Sequence, residues 1–138
     1  MRKRIFQLIF FILLLCGCSK TLNNSTPEDT INSFLNAMKS ENYEEASLYL
    51  NMDSLAEEDF QSRSNWVKDI KQEFKASSFS LINYKVKEIK NQSENKKEII
   101  VECEIYKKGK NKNTYDSEVT FVLIKNADGN WEVIMDYW

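Results

Sequence analysis

The side chains best suited to chemistry in this 138-residue chain are three cysteines and a scatter of carboxylates, because it contains no histidine. Without imidazole there is no Ser-His or Cys-His nucleophile pair, and the commonest metal ligand is missing. Cys16 and Cys18 lie near the start of the chain, and Cys103 stands alone near its end. Cys103 shares the apolar parity of Ile99, Val101 and Ile105, so a buried structural thiol is the expectation. A carboxylate could act as acid or base if an apolar pocket raised its pKa. Asp136 is the candidate catalytic acid, but it lies on the parity opposite Trp131, Val133 and Met135 and is expected to meet solvent. Glu102 and Glu104 fail for the same reason. Glu57, Glu58 and Asp59 cluster near a helix start without the turn-making glycine of a calcium loop. No metal and no cofactor is expected.

The first eighteen residues differ from the rest. Arg2, Lys3 and Arg4 precede an apolar run from Ile5 to Leu15, broken only by Gln7. A bilayer-spanning helix needs about 20 apolar residues, so this run is too short to span and fits a secretory signal core. Leu15-Cys16-Gly17-Cys18 follows, an aliphatic residue and two small ones before a cysteine. This looks like a lipobox, the cleavage site of bacterial lipoproteins, although cysteine at the position of Cys16 is less common than alanine or serine. The resemblance implies cleavage between Gly17 and Cys18, with a diacylglyceryl thioether on the Cys18 sulfur. Each buried methylene contributes about 0.8 kcal/mol, so two or more chains anchor stably where one does not. The expected location is a bacterial cell membrane or outer membrane, reached by export and held by lipid.

Removing residues 1–17 takes the basic count from 19 to 16 against 21 acids, a net charge of −5. A chain so charged is a poor partner for nucleic acid. Its basic residues are scattered except for Lys107, Lys108, Lys110 and Lys112, which suit a solvated hairpin tip. With Cys16 discarded and Cys18 acylated, Cys103 has no partner for an intramolecular disulfide. The fold must then rest on its apolar core. Residues 18–25 read as the lipidated cysteine and a polar tether, Ser19 to Ser25, reaching about 25 Å when extended.

Beyond the tether the hydrophobic period changes once, and this sets the architecture. Thr26-Pro27-Glu28-Asp29 carries a cap, a first-turn proline and acids suited to a helix start. Ile31, Phe34, Leu35 and Met38 then form one face. A short helix with Tyr43, Ala46, Ser47 and Leu50 on one side is expected from about Asn42. A longer one runs from about Ser54 to Lys75, broken near Ser62, with Phe60, Val67, Ile70 and Phe74 in a stripe beside Trp66. From Phe79 the period becomes 2. Phe79 to Lys90 reads as a strand with Ile82, Tyr84 and Val86 on one parity, and Glu98 to Lys108 as a second. Ser117 to Lys125 reads as a third, buried on both faces. Asp128-Gly129 predicts a two-residue turn with both residues at positive φ, before a last strand from Trp131 to Tyr137. Helices followed by a four-stranded antiparallel meander make an α+β fold, with helices on one sheet face.

Thr26 to Thr30 with Ile31, Phe34 and Leu35, followed by Asn42-Tyr43-Glu44-Glu45-Ala46, resembles the opening helices of nuclear transport factor 2-like domains. Asp128-Gly129-Asn130-Trp131-Glu132-Val133 is similar to their last hairpin. The resemblance covers residues 26–138 and points to the small lipoproteins of that group. It implies a curved sheet around a long helix, often with a conical pocket and a homodimer through the sheet. Such domains include ketosteroid isomerase-like enzymes and non-enzymatic modules, and fold alone does not choose between them. Two functions follow as expectations. One is a tethered, non-enzymatic module binding an envelope protein, a second copy or a small apolar ligand. The other is an isomerase- or hydratase-type pocket enzyme working through a buried carboxylate. The second requires a carboxylate shielded from water with a polar group facing it. The aromatics Trp66, Tyr84, Tyr106, Trp131, Tyr137 and Trp138 could line a pocket, with core packing the better reading for most.

Overall fold

The structure, a computed structural model, describes residues 21–57, 62–107 and 113–134, residues 55–57 by backbone alone. Gly17, Cys18 and the leader before them, Phe60, Glu58, Asp59, Lys108, Lys110, Lys112, Met135, Asp136, Tyr137 and Trp138 lie outside the described residues.

Helix α1 spans Pro27–Lys39. Extended Thr26 caps it, its hydroxyl accepting the Asp29 N–H at 3.1 Å, and this satisfies one of the orphan amides of the first turn. Ile31, Phe34, Leu35 and Met38 are all buried, as their spacing predicts. Helix α2, Tyr43–Ser47, opens on Asn42, whose side chain accepts the Glu45 N–H at 3.3 Å and donates to the Glu45 carboxylate at 2.9 Å. The stretch predicted as one interrupted helix forms two, α3 at Met52–Glu57 and α4 at Arg63–Ser77, with Ser62 capping the second. Arg63 fixes the junction. Its Nε donates to the Ser47 carbonyl at 2.7 Å and its Nη2 to the Leu50 carbonyl at 3.1 Å. A Glu44–Lys71 ion pair also links α2 to α4.

The strands form one antiparallel meander in the order β1-β2-β3-β4, with β1 at Phe79–Ser93, β2 at Lys96–Lys107, β3 at Asn113–Lys125 and β4 at Trp131–Ile134. Helices on one face of a four-stranded antiparallel sheet are the α+β architecture expected. On the helix side, Ile99, Val101 and Cys103 of β2, Phe121 and Leu123 of β3, and Trp131 and Val133 of β4 are buried. β3 is not buried on both faces. Its residues alternate from Phe121 to Ile124 between buried and half-buried, because nothing among the described residues covers the outer face. Against β2, β1 shifts register between Leu81 and Asn83, between Val86 and Glu88, and between Asn91 and Ser93. Such bulges bend a strand and increase its twist, which curves the sheet about the helices. They also upset the parity read from sequence. Leu81, Tyr84 and Val86 pack against the core, while Ile82, at a shift, is exposed.

The β3–β4 turn differs from the two-residue form. Only Gly129 has positive φ, at 84°. The Asn126 side chain accepts the N–H groups of Asp128 and Asn130, each at 3.0 Å. A five-residue connection organised by an asparagine therefore replaces the tight turn. On the outer face, Glu102 lies opposite Glu118 and Glu104 opposite Asp116. Lys87, at the second bulge, meets Glu102 at 2.9 Å. Leu22 packs against the core, and the Asn24 carbonyl accepts the Trp131 N–H at 2.9 Å. Chain read from sequence as tether is thus already part of the folded body.

Candidate functional site

Between α1, α4 and the sheet lies a cavity of about 480 Å³. Each wall follows from local geometry. α4 contributes Ile70, Glu73, Phe74 and Ser77, the i, i+3, i+4, i+7 stripe of one helix face. α1 contributes Leu35 and Met38 from its buried face. Alternation places Cys103, Ile105 and Lys107 of β2 on one side of the sheet, with Leu81 and Phe79 of β1 and Tyr115 and Val119 of β3 beside them. α4 ends on Ser78 in the left-handed conformation, φ 57°, which turns the chain sharply so that Phe79 follows Ser77 at the cavity edge.

Exposure distinguishes floor from mouth. Leu35, Met38, Ile70 and Cys103 are buried. Phe79 and Tyr115 are 36% and 48% exposed, and Glu73 and Lys107 are also exposed. The Lys107 ammonium lies 5.3 Å from the centroid of the Phe79 ring, within cation–π range. The polar groups other than the Cys103 thiol therefore gather toward the open end. Phe74 also backs onto Tyr43, centroids 5.7 Å apart, which braces that wall.

Burial pushes the Cys103 thiol up to about 11, since a thiolate is poorly solvated there. Near neutral pH it is a protonated wall atom and not a nucleophile. We expect Ellman's reagent to modify Cys103 at least a hundredfold more slowly in the native protein than in urea. Equal rates would show the thiol to be open to solvent.

The other candidates lie elsewhere. Glu102 and Glu104 face outward, as their parity predicts. Trp66 and Trp131 are buried and do not line the cavity. Tyr84 donates its hydroxyl to the Asn32 carbonyl at 3.1 Å, and burial raises its pKa. The aromatics at the cavity are instead Phe74, Phe79 and Tyr115. Phe74 was legible as part of a stripe. Phe79 and Tyr115 carried only the weak signal of aromatic residues near strand starts. Among the described lining residues no carboxylate is shielded from water, so these walls can desolvate and hold an apolar body but offer no acid or base inside.

No family model and no curated protein matches the sequence. Solved structures do. A ketosteroid isomerase-like protein from Erwinia carotovora atroseptica matches with TM-score 0.60 at 13% identity, over 84% of this chain and 92% of that one. The fold is the nuclear transport factor 2-like cone. An NTF-2-like protein of unknown function from Shewanella oneidensis matches at TM-score 0.55 and 16% identity, over 79% of this chain and 95% of its own. At such identities the likeness concerns architecture alone. The cavity of this chain lies inside the cone.

Proposed function

We propose that this chain is an exported lipoprotein, anchored by lipid on Cys18, whose cone is a non-enzymatic binding module for a small apolar ligand. The observation that carries the binding role is the cavity itself. Its floor is apolar and buried, and its charged groups stand at an exposed rim. A volume of about 480 Å³ falls within the roughly 300–1,000 Å³ usual for small-molecule sites. The anchoring role is supported by the basic start, short apolar core and Leu15-Cys16-Gly17-Cys18 box, which agree in order and length.

Two measurements test the two halves. Metabolic palmitate labelling is expected to mark the wild type and not Cys18→Ala, and the variant is expected to leave the membrane fraction. Unchanged membrane association of Cys18→Ala would remove the anchoring role. For the pocket, N-phenyl-1-naphthylamine is expected to gain fluorescence on the wild-type chain. Ser77→Trp, which places an indole in the mouth from a half-buried helix end, is expected to reduce that gain at least fivefold. Equal fluorescence in both would remove the binding role.

A further inference from the structure

The chemistry of the walls narrows what the cavity can hold. Its floor is closed by Leu35, Met38, Ile70 and Cys103, all buried. A polypeptide segment inserted there would carry a donor and an acceptor for every residue, and each needs a hydrogen-bond partner. The floor offers a single weak thiol. A hydrocarbon tail makes no such demand. A cavity of about 480 Å³ lies in the lower half of the roughly 300–1,000 Å³ usual for small-molecule sites, which suits one tail better than two. The charged rim then decides where a polar end can rest. Lys107 stands on the sheet side, over the face of Phe79, while Glu73 stands on the helix side and repels an anion.

The path of the chain bears on where such a molecule comes from. Asn24 is tied to Trp131, and Trp131 lies within cation–π range of Lys97, 5.9 Å from its ring centroid. Lys107 is ten residues farther along β2, about 33 Å away at strand rise. From Asn24 back toward Cys18, however, the chain runs along α1: the Asn23 carbonyl accepts the Ser33 hydroxyl, and Thr21 lines a groove with Ser40 and Asn42, at the end of the helix that brings Met38 to the cavity. Only Ser19, Lys20 and Thr21 separate Cys18 from the core-packed Leu22, a reach of about 14 Å. With lipid on Cys18, the chain thus enters toward the cavity end of α1, and an amphiphile can reach the mouth from the same bilayer or from water.

We infer that the cone takes up a single-chain anionic amphiphile, a free fatty acid, with its tail toward Cys103 and its carboxylate beside Lys107. This deepens the binding role proposed above and rests on it.

The test uses the full chain in phosphatidylcholine nanodiscs and a palmitate analogue with a diazirine in its tail, supplied from solution. After irradiation, adducts are expected on the peptides carrying Ile70–Ser77 and Cys103–Lys107. Lys107→Glu should lower that labelling about tenfold for the acid and leave it unchanged for the matching alcohol, and Lys107→Arg should restore it. Lys107 is exposed, so neither variant threatens folding. Equal labelling by acid and alcohol in the wild type would overturn the anionic head. Pocket labelling by a two-chain phospholipid analogue embedded in the disc would overturn the single-chain ligand. If N-phenyl-1-naphthylamine binds but neither palmitate analogue marks the pocket, the amphiphile is wrong while the apolar-ligand role stands. Failure of all three probes would end both.

Discussion

Phe34→Ala is expected to destabilise the domain by about 3–5 kcal/mol. Phe34 is fully buried and meets Phe121 edge-on, ring centroids 6.1 Å apart. It therefore joins α1 to the middle of the sheet. Truncation removes the transfer energy of a whole ring and leaves a void, because α1 and β3 are held by other contacts and relax only in part. The aromatic pair adds about 0.5–1.5 kcal/mol beyond area alone. Small domains are stable by about 5–15 kcal/mol in total, so this one change removes a large share. In urea unfolding the midpoint should fall by roughly 2 M with an unchanged slope. Phe34→Leu, which keeps most of the volume, should lose less than half as much. A shift below about 0.5 M for the alanine variant would mean that the core is not centred there.

The second large effect is polar. Asn51 is buried and ties α3 to the last hairpin. Its amide nitrogen donates to the Glu132 carboxylate at 2.8 Å, and its side-chain oxygen accepts the Ser54 N–H at 2.9 Å. Glu132 is held from the other side by Asn126, also at 2.8 Å, and the Asn51 N–H donates to the Val133 carbonyl at 2.8 Å. Asn51→Leu keeps the size and removes both side-chain bonds, one of them to a charged group. The expected cost is about 3 kcal/mol, set by buried groups losing partners more than by the bonds themselves. Asn51→Asp separates the two contributions. It keeps the acceptor for Ser54 but sets a carboxylate against Glu132. Its deficit relative to wild type should be largest near neutral pH and shrink in acid, where one proton shared between the two carboxylates turns repulsion into a hydrogen bond. A pH-independent deficit in chemical denaturation would contradict this account.

Much of the scaffold was legible because it depends on local period. Ile31, Phe34, Leu35 and Met38 recur at helical spacing and all reach the core. Ile99, Val101 and Cys103 alternate and all face the helices. The bulges of β1 were not legible, since an inserted residue shifts parity without leaving a mark in composition. Ile82 shares the sequence parity of Tyr84 and Val86, yet it is exposed while they pack against the core. The start of β3 was missed for a related reason. Residues 113–116 are polar apart from Tyr115, yet β2 pairs with them residue for residue. The cavity was the least legible feature. A void between three elements is encoded by no residue type, and the thiol correctly read as buried turned out to be one of its walls.

The outward rungs of β2 and β3 carry a consequence for association. Glu102 opposite Glu118 and Glu104 opposite Asp116 set like charges side by side, an arrangement that weakens a sheet slightly. Lys87 pairs with Glu102 and Lys85 lies opposite it on β1, so two lysines offset part of the square. Two copies laid together on these rungs by a two-fold axis would crowd eight carboxylates into one contact, and desolvating them would cost more than their area returns. The convex surface thus carries its own deterrent against stacking, placed where the curved sheet would otherwise be open to a like neighbour.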